Sequence, residues 1–118
     1  MTPQQLEERL RSGLGHVLMT SAFFDALHLA VWEAVSNAIR HAATPDPAVD
    51  VRTEPTGDVV VTVTDHGPGF DRAEISHITA PYRGLALIAA NVTSVAYSPA
   101  PEGGTIVTLR KALPRNDR

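Results

Sequence analysis

The sequence contains no cysteine. That excludes a disulfide framework and any thiolate metal site. Positive charge is also scarce. Thirteen acidic residues against ten basic ones leave a net charge of −3, without the basic footprint of a general nucleic-acid binder. No apolar run approaches the length of a membrane span. Residues 1–8 lack a basic region followed by an apolar core, so no signal peptide is expected and the chain reads as cytoplasmic. Gly-x-Gly-x-x-Gly, Gly-Lys-Ser/Thr and Gly-x-Ser-x-Gly are all missing. A Rossmann fingerprint, a P-loop and a nucleophile elbow go with them. The histidines His16, His28, His41, His66 and His77 include no pair at metal-ligand spacing, so no zinc site is expected.

What is present suits one globular domain. The 118 residues are 43% hydrophobic and 19% charged, enough to bury a real core and too few for two domains. Neither an internal repeat nor a low-complexity tract interrupts them. Nine of the ten basic residues are arginine and alanine is abundant, as in proteins of GC-rich bacterial genomes.

Thr2 and Pro3 open a short amphipathic helix over residues 3–11, with Leu6, Leu10 and Leu14 as its apolar stripe. Gly13 and Gly15 are expected to end it. The stripe suits docking on the domain or on a second copy of the chain. Thr20 or Ser21 then caps a long helix over residues 22–42. At about 100° per residue, Leu27, Val31, Ala34, Val35, Ala38, Ile39 and Ala42 share one side and Glu33, Asn37, Arg40 and His41 the other. Glu33 and Asn37 stand one turn apart. Thr44-Pro45-Asp46-Pro47 breaks the helix.

Two strands follow, an alternating one around Val49–Thr53 and a β-branched one over Val59–Thr64 that suits the centre of a sheet. Pro55-Thr56-Gly57-Asp58 is the turn between them. After Asp65-His66-Gly67-Pro68-Gly69 come a short helix capped by Asp71 and Glu74, a loop, and an apolar helix from Gly84 to Val92. Strands over residues 93–98 and 105–111 close the chain, and 114–118 read as a frayed tail. This order predicts an α+β two-layer sandwich, a mostly antiparallel mixed sheet with helices on one face.

Taken singly, each polar motif has an ordinary explanation. Glu33, Asn37, Arg40 and His41 can be a solvated helix face. Asp65-x-Gly67-x-Gly69 can be a turn. Arg83-Gly84 can be a loop–helix junction, although a helix N-terminus there also suits phosphate. Gly103-Gly104-Thr105 can be a hairpin turn. Their order and spacing together resemble the ATP-binding signature of the gyrase, heat-shock chaperone, histidine-kinase and mismatch-repair (GHKL) superfamily, whose ATPase domain has the Bergerat fold. Within it the chain is most similar to the small bacterial RsbW-like group, anti-sigma factors that are also serine/threonine protein kinases. The resemblance covers about residues 21–113, which would be the ATPase-like core, with residues 1–15 an N-terminal helix and linker.

The resemblance implies ATP and Mg²⁺ as ligands. Asn37 would ligate Mg²⁺ and Glu33 would be the general base. Asp65 would read adenine, with Gly67 and Gly69 making room and Thr105 assisting. Arg83, Gly84 and Leu85 would lie at the phosphates, with Arg40 and His41 as further phosphate neighbours and residues 71–83 as a lid. It also implies a transcription-regulating partner switch involving a sigma factor and a STAS-type anti-anti-sigma protein, and a possible homodimer. Neither nucleic acid nor membrane would be a direct partner. Three features depart from the relatives. Tyr82 replaces the first glycine of their phosphate loop, the lid is short and lacks the phenylalanine segment of histidine kinases, and a helix stands where their first strand would be. No helix pair bearing a phospho-acceptor histidine is present. The alternative reading is a non-catalytic GHKL-fold regulatory module with weak or no nucleotide turnover.

Overall fold

The structure, a computed structural model, describes residues 1–67 and 83–114. The described elements are helices α1 (Pro3–Leu14), α2 (Ser21–His41) and α3 (Arg83–Asn91) and strands β1 (Ala48–Thr53), β2 (Val59–Thr64), β3 (Ser94–Pro99) and β4 (Thr105–Lys111). The four strands form one sheet in the order β1-β2-β4-β3, and all three pairings are antiparallel. The mixed sheet expected from the sequence is thus purely antiparallel among the described residues. The short helix expected after Phe70 falls outside them.

Strand alternation decides which face packs. Val49, Val63, Val107 and Tyr97 lie in one row across the sheet, and Val51, Val61, Leu109 and Val95 in the next. These rows face the helices. Val61 and Leu109 are fully buried, as are Leu27, Val31 and Val35 of α2 above them. The β-branched run of β2 suits a strand flanked on both sides, and β2 lies between β1 and β4.

α1 is longer than the sequence suggested. Thr2 caps its start as expected, and Gln5 completes a capping box, with the Thr2 hydroxyl accepting from the Gln5 N–H and the Gln5 side chain accepting from the Thr2 N–H. Gly13 does not end the helix, which runs on to Leu14. A Cβ at Gly13 would stand 3.0 Å from the Cβ of Val51, so the glycine lets α1 lie close against β1. Leu6 and Leu10 are fully buried and Leu14 nearly so, all within the same core as α2 and the sheet. The stripe therefore docks on its own domain. Arg9 donates to the Val49 carbonyl at 3.2 Å and helps cover the edge strand.

The outer face of the sheet is held by charge. Val60 points away from the helices yet is fully buried. Arg52 and Arg110 stand directly opposite it on the two neighbouring strands. Their alkyl stems flank it and their guanidinium groups reach on to carboxylates. Arg110 pairs with Glu54 and, at 3.4 Å, with Asp58, while Arg52 pairs with Glu54 at 3.4 Å. The hydrogen bond from Arg110 holds the Glu54 carboxyl below its ordinary range, and Arg52 adds to the effect. A carboxyl depressed by folding stabilises the native state above its unfolded pKa, and that contribution is lost as pH falls through the folded value. Glu54→Gln is therefore expected to lower the urea midpoint at neutral pH. The gap to wild type should close progressively as the pH is taken down through and below the ordinary carboxylate range. A gap independent of pH would show that packing, not charge, accounts for the loss.

Candidate nucleotide site

The candidate site lies where β2 ends beside the start of β4, against the last turns of α2. Asp65 follows β2 directly and is 6% exposed. It continues the β2–β4 ladder by one residue, its N–H donating to the Thr105 carbonyl at 3.0 Å. The Thr105 N–H donates back, not to a carbonyl but to Asp65 Oδ1 at 3.1 Å. The Gly67 N–H donates to the same oxygen at 3.0 Å. One carboxylate oxygen is thus fixed by two backbone donors. Among the described residues Oδ2 accepts no hydrogen bond. A carboxylate held this way is a rigid acceptor for an N–H donor such as the adenine amine. Thr105, also expected at the site, is buried beside it.

Two glycines are required by this packing. Gly104 has φ 98°, and a Cβ there would lie 2.1 Å from the Asp65 carbonyl oxygen and 2.9 Å from Oδ1. At Gly67 a Cβ would lie 2.6 Å from the Cβ of Ala42. The sequence suggested that Gly67 makes room for a ligand. In the structure its missing side chain makes room for the end of α2. Gly69 and Tyr82 lie outside the described residues.

α2 brings the second half of the site. Thr20 caps it by accepting from the Phe23 N–H at 3.1 Å. Ala34, Val35 and Ala38 are buried, while Glu33 and Asn37 sit half-buried on the flank. Asn37 Oδ1 is buried with no hydrogen-bond partner among the described residues. A buried amide oxygen without a partner is costly and calls for a ligand. A neutral hard oxygen fits Mg²⁺, which takes oxygen donors and keeps several waters and phosphates. Glu33 makes no ion pair among the described residues. Arg40 folds back on its own helix, Nε donating to the Ser36 carbonyl and Nη2 to Ser36 Oγ, both at 3.4 Å. His41 is the exposed last residue of α2. α3 begins at Arg83, so Gly84 and Leu85 fall in its first turn, as expected for a helix N-terminus.

Sequence reasoning missed one residue. Thr44 was read as part of a helix-breaking cluster, yet it is 5% exposed and joins the two halves of the site. Its Oγ1 donates to the Ala42 carbonyl at 3.1 Å and accepts from the His66 N–H at 3.0 Å. The available signal was weak, a single threonine just past the end of a helix.

The close approach at Gly104 gives a direct test. Gly103 also has positive φ, 93°, but open space where its Cβ would go. Gly103→Ala is expected to cost about 1 kcal/mol in urea denaturation, from backbone strain alone. Gly104→Ala should cost more than twice as much, because the Asp65 backbone must also move. Equal costs would mean that Asp65 is not held as described.

The sequence matches the family described as histidine kinase-like ATPase domain over residues 2–111. No individually curated protein matches it. Among solved structures, the Erythrobacter litoralis EL346 blue-light activated histidine kinase is similar at TM-score 0.61 and 21% identity, covering 80% of this chain and 32% of that one. The isolated histidine kinase domain of the same protein gives TM-score 0.59 and 22% identity, covering 78% and 45%. The Acinetobacter baumannii histidine kinase AdeS gives 0.59 and 13%, covering 78% and 48%. The chain thus spans less than half the length of each of these structures, and the likeness to them is one of fold. With the family match running almost end to end over a four-stranded antiparallel sheet backed by helices, the chain belongs to the histidine kinase-like ATPase domains of the GHKL superfamily.

Proposed function

We propose that the chain binds ATP with Mg²⁺ and transfers the γ-phosphoryl group to a serine or threonine of a partner protein, acting as an anti-sigma factor of the partner-switching type. The observation that carries this reading is a pair of acceptors at one end of the sandwich. Asp65 presents a carboxylate locked by two amide donors, and Asn37 a buried amide oxygen without a partner among the described residues. The first suits the adenine amine and the second a hard cation on the phosphates. Mg²⁺ would supply charge neutralisation at the phosphates, held on the protein side by Asn37.

The rest of the work falls to positioning and electrostatics. Asp65 reads the base, with the Thr105 side chain assisting beside it. Glu33, one turn from Asn37, accepts the proton of the attacking hydroxyl. The new bond forms between that oxygen and the γ-phosphorus, and ADP leaves. Arg83, Gly84 and Leu85 form the phosphate end, with Arg40 and His41 at the margin and Gly67 and Gly69 bounding the base. A STAS-type anti-anti-sigma protein would be the phosphoryl acceptor and a sigma factor the inhibited partner.

A second reading, a regulatory module without turnover, is favoured by Arg40, whose guanidinium is engaged with Ser36 on its own helix.

Calorimetric titration with ATP, with and without Mg²⁺, is expected to show binding that depends on Mg²⁺. Glu33→Ala should bind Mg·ATP within about threefold of wild type, since it removes no base or metal contact, and lose transfer by 10²-fold or more. Transfer that survives in Glu33→Ala would remove Glu33 as the base. Binding without transfer in wild type, with candidate acceptors present, would favour the regulatory module.

A further inference from the structure

The base-reading and phosphate-side halves of the site come from different elements. Asp65 and Gly67 follow β2, and Glu33 and Asn37 ride on α2. A nucleotide spans both, so the halves must be held in register. Beyond the shared core, one side chain hydrogen-bonds to both. Thr44 Oγ1 bridges the Ala42 carbonyl, at the end of α2, and the His66 N–H, between Asp65 and Gly67. The Thr44 N–H also closes back on the Ala38 carbonyl at 3.0 Å, one residue beyond Asn37. Ala43 takes φ 48° to bring the chain round, a left-handed conformation that costs an alanine about 1–2 kcal/mol. Such strain persists only where surrounding bonds over-determine it. Gly67 packs directly on Ala42 in the same place.

We infer that Thr44 is a positioning residue for nucleotide binding, its hydroxyl setting the spacing between the adenine-reading Asp65 and the phosphate-side Asn37. The inference rests on the nucleotide reading above. Thr44 touches neither base nor phosphate in this account. It acts through the two backbones it joins. Valine keeps the shape of the side chain but leaves the His66 N–H without its acceptor and the Ala42 carbonyl without its donor. Serine keeps both bonds.

The test compares adenosine, which engages only the Asp65 half, with Mg·ATP, which must engage both. Dissociation constants are measured by NMR titration for wild type, Thr44→Val and Thr44→Ser, with folding checked by thermal melts. In Thr44→Val, adenosine affinity should stay within about twofold. Mg·ATP affinity should fall about tenfold, the size expected from losing one well-placed hydrogen bond. Thr44→Ser should behave as wild type with both ligands. The ratio of the two constants is the readout, because a loss of folded protein lowers both affinities together. If Thr44→Val weakens adenosine and Mg·ATP equally, or weakens neither, the inference is overturned while the nucleotide reading stands. It is likewise overturned if serine fails to restore the ratio. If wild type binds no Mg·ATP, the nucleotide reading falls and the inference falls with it.

Discussion

The structure depends on a reciprocal pairing at the point where the β2–β4 ladder runs out. Asp65 donates its N–H to Thr105 as any strand residue would, but receives the return bond on its side chain. This substitution of a carboxylate for a carbonyl turns the end of a sheet into a fixed anionic acceptor. It needs a residue without a Cβ at Gly104, where the chain passes within van der Waals contact of the Asp65 backbone. It also needs β4 to lie beside β2, although 40 residues separate the two in sequence.

That pairing has the sandwich behind it. The inner rows of valine, leucine and tyrosine fix the sheet register, since a slip of one residue would turn them to the outside. α2 lies on those rows with Leu27, Val31 and Val35 buried, which leaves Glu33 and Asn37 on its flank. The position of the polar flank is thus a consequence of where the apolar side must go. On the outer face the same alternation leaves Val60 between two arginines, and the Glu54–Arg110–Asp58 cluster covers what would be an apolar patch.

Much of this was legible in the sequence because the signals are local. The continuous β-branched run of Val59–Thr64 and the alternation in Thr105–Lys111 located both central strands to the residue. The 3.6-residue period of α2 separated Ala34, Val35 and Ala38 from Glu33 and Asn37. Thr2-Pro3 and Thr20 marked two helix starts through their capping chemistry. Glycine was less legible. Gly13 suggests a stop when read alone, but the helix continues through it because close packing on Val51 outweighs a helix propensity cost of about 1 kcal/mol. The reason for Gly67 was equally hidden, since the obstacle is Ala42, a residue 25 positions away.

By itself the sequence determined the elements, the apolar faces and the residue types offered for a ligand, because propensity, capping and periodicity act over a few residues. Only the tertiary structure decided that α1 lies on its own domain and that Asp65 and Thr105 are partners. It also decided that Asn37 Oδ1 is buried without a partner among the described residues and that Thr44 joins the end of α2 to the segment after β2. Those are contacts between segments brought together by burial of a shared core. No local preference encodes which distant atom will stand 3 Å away.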